Sequence, residues 1–167
     1  MKNLTANKTI VILLFMVIAV LTRLVPHLPN FTPITAIALF GGLYLSNKVM
    51  AYALPLTVMA ISDLFLGFSS ITVFVYFAFV VVSFIGTQSK KASFSAILLS
   101  SVSFFIITNF GVWLLGYPKT WTGLAECYTL ALPFFRNALL GDLFYSGALI
   151  IGFNFVQKKY LQEAKQA

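Results

Sequence analysis

Apolar residues fill this chain in long runs, broken by short clusters of proline, glycine and polar residues rather than by the regular polar face of a surface helix. The first run covers roughly 9–25 and stops at "PHLPNFTP", where Pro26, Pro29 and Pro33 rule out a continuous helix. A short glycine-bearing run follows at about 34–46 ("ALFGGLYLS"), then one at 49–67, interrupted by Pro55, and one at 71–87, rich in Val and Phe. The fifth covers about 94–116 and leads into the aromatic stretch "YPKTWTGLAECYT". The sixth covers about 132–155, with Pro133 in its first turn, where a missing N–H does no harm. A bilayer-spanning helix needs about 20 residues. The pattern therefore predicts an all-α membrane protein, one domain over 1–167 built as a six-transmembrane-helix bundle with short connections.

Composition strengthens this reading: 60% of residues are hydrophobic and 9% charged, against about a quarter charged in soluble domains. The start, "MKNLTANKTIVILLFMVIAVLTRLVP", has the basic opening and apolar run of a signal peptide but no small-x-small cleavage site before Arg23, so it reads as a retained first span. The formal net charge of +7 is explained by the bias of Lys and Arg toward cytoplasmic loops, and no nucleic-acid partner is expected. Six spans put both termini on one side. Lys2, Lys8, Lys48, Lys90, Lys91, Lys158, Lys159 and Lys165 then share that side, against Arg23 and Lys119 on the other. Both termini are expected to be cytoplasmic, which places "PHLPNFTP", "DLFLGFSS" and "YPKTWTGLAECYT" together on the outer face.

Against this apolar background the charges in "LALPFFRNALLGDLFYSGALIIGF" stand out. An arginine or aspartate near the middle of a membrane helix costs about 2.5–3.5 kcal/mol on insertion scales and faces a cavity or a partner helix. At a rise of ~1.5 Å per residue, Arg136 lies ~6 Å below the outer end of the sixth segment and Asp142 ~15 Å below it. Six residues apart, they point about 120° away from each other and cannot pair. Arg136 is expected at the depth of Asp63, to be satisfied by Asp63 or a ligand anion. Asp142 is expected at the depth of Thr108 and Asn109, to be satisfied by Asn109 or a ligand donor. With the aromatic rim around them, these residues suggest a slot for a flat molecule. The expected substrate-binding set is Asn30, Phe31, Asp63, Asn109, Trp113, Trp121, Arg136, Asn137 and Asp142.

Other chemistry finds little support. His27 is the only histidine and Cys127 the only cysteine, so no metal site, disulfide or cofactor is expected. The chain has no Gly-x-Ser-x-Gly run and no Gly-x-x-x-x-Gly-Lys-Ser/Thr loop. If ATP drives this protein, another chain hydrolyses it. Small residues four apart, Ala38 with Gly42 and Ala148 with Gly152, allow close helix approach inside the bundle or against a partner.

"RLVPHLPNFTPITAIALFGG", "SDLFLG", "TNFGVWLLGYPKTW" and "LPFFRNALLGDLFY" resemble an uncharacterised bacterial membrane family. The whole chain in turn resembles the substrate-binding (S) components of energy-coupling-factor (ECF) vitamin transporters. That resemblance implies a multi-pass protein of the bacterial inner membrane that binds a vitamin or cofactor precursor at its outer face. It also implies a transmembrane coupling subunit, two cytoplasmic ATPases and contact with membrane lipid as partners. S components commonly dock through an Ala-x-x-x-Ala-like face of the first helix, where "FMVIAVLTR" offers Ala19 alone. Two alternatives stay open: a small membrane enzyme acting on a lipid or isoprenoid, with Asp142, Asp63 or His27 as acid or base, and a non-catalytic assembly protein.

Overall fold

The computed structural model describes residues 16–25, 28–45 and 47–166, with side chains as far as 153. The segment before 16 and His27 lie outside the described residues, so the start of the first expected span and the expectations attached to His27 are not addressed by it. Six helices and no strand occur among the described residues: α1 (16–24), α2 (Ile34–Tyr44), α3 (Lys48–Leu66), α4 (Thr72–Gln88), α5 (Phe94–Gly116) and α6 (Trp121–Gln166). Lys48–Leu66, Phe94–Gly116 and Trp121–Phe153 are long and apolar enough to cross a membrane, while α2 and α4 are shorter apolar helices. The outward surface is apolar as well, with Leu64, Phe65, Val73 and Ile151 each more than 70% exposed. This is the surface that lipid, rather than water, would solvate.

The helix starts follow local chemistry. The Asn47 side chain accepts hydrogen bonds from the Val49 and Met50 N–H groups at the start of α3, and Ser93 accepts from Ala96 at the start of α5. Thr120 Oγ1 accepts from the Gly123 N–H in the same way at the start of α6. This cap explains the largest departure from the sequence pattern. The sixth segment was expected from about 132, after a loop, yet helix runs without a break from Trp121, and Pro133 lies inside it. The Trp121–Phe153 stretch has 33 residues, about 50 Å of helix, well beyond a hydrocarbon core of ~30 Å.

Pro55 also lies inside its helix, buried in α3. A proline cannot donate to the carbonyl four residues back, and in apolar surroundings that carbonyl needs another donor. Ser83 Oγ of α4 supplies it, donating to Ala51 O at 3.3 Å.

The hub of the bundle is α2, the shortest complete helix. Ile34 to Leu39, with Gly41 and Gly42, are all buried, and α2 packs against α3, α4, α5 and α6. Its crossing with α4 brings backbone onto backbone. A Cβ built on Gly42 would collide with the Ser83 carbonyl and stand 2.9 Å from the Gly86 Cα, and one on Gly86 would collide with the Leu39 carbonyl. Ala38 with Gly42 is thus internal packing, as one of the two expectations held, whereas a Cβ at Gly152 would meet open space. Lys48 Nζ closes the far end of α2 by donating to the Gly42 carbonyl at 3.1 Å.

Candidate functional site

The apolar spacing of α6 generates the site. Cys127, Leu130, Ala131, Phe134, Phe135 and Ala138 fall at three- and four-residue steps, hence on one face of the helix, and all of them line a cavity of about 550 Å³. Facing them are the C-terminal halves of α1, α3 and α5, through Arg23, Met59, Leu66, Phe104, Phe105, Thr108, Asn109 and Val112. The N-terminal parts of α2 and α4 complete the wall with Ile34, Thr35, Val75 and Phe79. Odd-numbered helices contribute their ends and even-numbered helices their starts, so successive helices run in opposite directions. The cavity occupies the end of the bundle that holds 28–33 and the 67–71 and 117–120 connections.

The lining is mostly apolar, with five phenylalanines. Phe105 stacks on Phe135 with ring centroids 4.7 Å apart and meets Tyr128 edge-on at 5.6 Å, and Phe79 and Phe104 stand 5.0 Å apart. Offset and tilted ring pairs of this kind hold a wall rigid. The Tyr128 hydroxyl donates to the Ile106 carbonyl at 2.7 Å and ties α6 to α5. The polar contribution comes from Arg23, Asn30, Thr32, Thr35, Thr108, Asn109 and Tyr117. Asn30 has φ 64°, a left-handed conformation that asparagine tolerates and that turns the chain from Leu28 to Phe31, where Phe31 N–H donates to Leu28 O at 3.0 Å.

Two polar clusters support the wall, and neither has the expected partners. Asp63, 4% exposed, was expected near Arg136. Its Oδ1 instead accepts from Arg23 Nη1 at 2.7 Å and its Oδ2 from the Tyr76 hydroxyl at 3.1 Å. The same guanidinium nitrogen donates to Ser62 Oγ, which donates in turn to the Val58 and Met59 carbonyls. Arg136 does not join this cluster. It stands two residues from both Phe134 and Ala138, so about 200° of helix rotation turns it away from the cavity, and it is exposed.

Asp142, 3% exposed, continues the cavity stripe of α6 one turn below Ala138. Asn109 was expected beside it. The partners are instead Ser101, whose Oγ donates to Asp142 Oδ2 at 2.6 Å, and the Thr35 side chain. Asn109 donates its Nδ2 to the Phe105 carbonyl at 2.8 Å and lines the cavity above. Thr35 belongs to both places, so Asp142 meets the cavity through that hydroxyl.

Of the nine residues singled out in the sequence, Asn30 and Asn109 line the cavity. Asp63 and Asp142 lie behind its wall. Phe31 packs instead on Phe144 and Tyr145, at 6.0 and 5.5 Å between centroids, where Gly141 leaves room for its ring. Trp113 builds the α5–α6 connection: its Nε1 donates to Pro118 O at 3.0 Å, and Lys119 Nζ donates to the Trp113 and Tyr117 carbonyls. Trp121, at the first turn of α6, is 86% exposed, and Asn137 is half-buried beside Arg136. Arg23, Thr35, Ser101 and Tyr76 were not singled out as site residues. Arg23 looked like a topology charge, and the three hydroxyls looked like ordinary residues of apolar helices.

Among the described residues, no group of three or more His, Cys, Asp or Glu side chains is placed to hold a metal. A family model described as a family of unknown function (DUF6580) matches residues 3–165, almost the full chain. No curated protein and no solved structure matches it.

Proposed function

This chain belongs to the DUF6580 family, whose function is unknown, and we propose from the cavity that it is a membrane-embedded binding subunit for a small, flat, largely apolar molecule. The observation that carries this is the lining itself. Drug-sized ligands occupy pockets of ~300–1,000 Å³ that are mainly apolar with a few convergent polar groups, and here five phenylalanines face Asn30, Thr32, Thr35, Thr108 and Asn109 across about 550 Å³. Arg23 is the one charged side chain in that lining, and Asp63 balances it. A neutral or singly anionic ligand with hydrogen-bonding edges fits such a wall.

Orientation follows from the charges. Lys48, at the start of α3, and Lys90 and Lys91, in the α4–α5 connection, stand at the end of the bundle opposite the cavity. The preference of lysine for cytoplasmic loops then directs the cavity outward, with six membrane passages and cytoplasmic termini. Uptake would require a coupling subunit and ATPases of the ECF type, on the strength of the whole chain's resemblance to S components. Ala19, the small residue of α1, is fully buried, so a coupling subunit would dock on a different face. A binding role also suits the carboxylates better than an enzyme's acid and base would. Asp63 is held by Arg23 and Tyr76, and Asp142 by Ser101 and Thr35, with neither in the cavity lining.

Native mass spectrometry of the detergent-purified protein tests this reading. A retained small molecule that is lost from Ala131→Trp, which fills the cavity, is expected. A parent protein that carries no ligand and binds none from a panel of vitamins and cofactor precursors would refute it.

A further inference from the structure

Asp142 poses a problem that its hydrogen bonds do not solve. It is 3% exposed in an apolar bundle, and among the described residues no Lys or Arg side chain bonds it; the ion pair there is Arg23 with Asp63. Hydroxyl donors moderate the cost of burying a carboxylate but supply no countercharge. One turn further along the same face of α6 is Ser146, 2% exposed, whose Oγ is buried and has no hydrogen-bond partner. An unsatisfied buried hydroxyl costs about 1–3 kcal/mol, and here it stands one helical turn from a buried carboxyl that no cation balances. Ser101 from α5 and Thr35 from α2 bring two more hydroxyl oxygens to the same carboxylate.

We propose that Asp142, Ser101, Thr35 and Ser146 form a binding site for one small monovalent cation, sodium by preference. Each element of the cluster suits that ion. All four donors are hard oxygens, the class that selects s-block cations over transition metals. A single carboxylate neutralises one positive charge, whereas calcium sites gather several. Residues from α2, α5 and α6 meet there, so a bound ion would clamp three helices, and Ser146 would gain the partner it lacks. Through Thr35, which also lines the cavity, the ion would fix the direction of one hydroxyl at the cavity floor.

The test uses the ion alone on the full chain in detergent. Thermal unfolding is followed in sodium, potassium and choline chloride at equal ionic strength and fixed pH. Sodium is expected to raise Tm by several degrees in a saturable way, with potassium weaker and choline inert. Ser146→Ala is the informative variant. Removing an unpartnered buried hydroxyl leaves the fold intact, so its Tm in choline should match or exceed the parent's. Its sodium response should need about tenfold more ion, the loss of one ligand. Asp142→Asn should lose the response altogether; if it fails to fold, Ser146→Ala decides. A Tm that ignores cation identity, or a Ser146→Ala response equal to the parent's, overturns the site. The readout involves no cavity ligand, so either result leaves the binding function to its own experiment.

Discussion

Arg23 Nη1 and Asp63 Oδ1 meet at 2.7 Å, joining the end of α1 to the end of α3 across forty positions of sequence. Arg23 keeps one side on the cavity while Asp63 is buried behind it. The pair holds a charged wall in place and leaves it close to neutral.

Breaking that pair from one side strands a charge. Asp63→Ala should destabilise the detergent-solubilised protein by about 3 kcal/mol, the lower end of the range for buried pairs because Arg23 is partly exposed. The exchanged Arg23→Asp/Asp63→Arg double variant should recover part of the loss. Tm of the two variants against the parent checks this, and a neutral Asp63→Ala would show that the pair contributes nothing.

Glycines in this bundle fall into two kinds, which substitution should separate. Gly42→Ala and Gly86→Ala force a Cβ into the facing backbone at the α2–α4 crossing and should each cost at least 1–3 kcal/mol. Gly147→Ala and Gly152→Ala meet nothing within 4 Å and should be neutral or gain up to about 1 kcal/mol from helix propensity. Equal Tm for all four would contradict the crossing.

Affinity should follow the aromatic wall that α5 and α6 give the cavity, not the charges that first attract notice. Phe105→Ala removes the ring that contacts Phe135 and Tyr128 and should weaken ligand retention up to about tenfold, the value of one aromatic contact. Arg136→Ala, pointing away from the stripe, should retain ligand like the parent. Native mass spectra recorded side by side check both, and the reverse order would relocate the site.

Cys127 offers a probe already in place. It is 2% exposed, lines the cavity, and its thiol lies 3.6 Å from the Asn109 carbonyl. Maleimide labelling should be slow in the native protein, slower still with ligand bound, and complete in SDS. Rapid labelling of the native protein would mean that the cavity wall opens freely.

The apolar runs made the helices legible, and their period made α6's inner face readable once its start was known. The start itself was hidden. "YPKTWTGLAECYT" has the proline, glycine and aromatic content of a loop, but Thr120 caps a helix there and Gly123 allows its first turn to pass close to Pro118. With the start misplaced, Trp113 and Trp121 looked like pocket walls rather than parts of a connection and an exposed helix end. The charges misled for another reason. Depth along a helix is set by counting residues, but partner choice depends on rotation and on how α1 and α2 pack, which no local pattern specifies. So Asp63 and Arg136, placed at similar depth, face different ways, and the donors to Asp142 are hydroxyls that sequence alone gives no cause to notice.

The hub helix carries a consequence for biogenesis. At 11 residues, α2 is ~16 Å long, about half the thickness of a bilayer's hydrocarbon core, and nearly all of it is covered by other helices. A segment of that length has no stable position in lipid by itself, because the unpaired backbone groups at its ends would face hydrocarbon. It has to be received by α3 to α6, which are synthesised after it. The amino-terminal third of this protein therefore waits on the rest of the chain, and a nascent fragment ending before α4 should be a substrate for quality-control proteolysis rather than a folding intermediate.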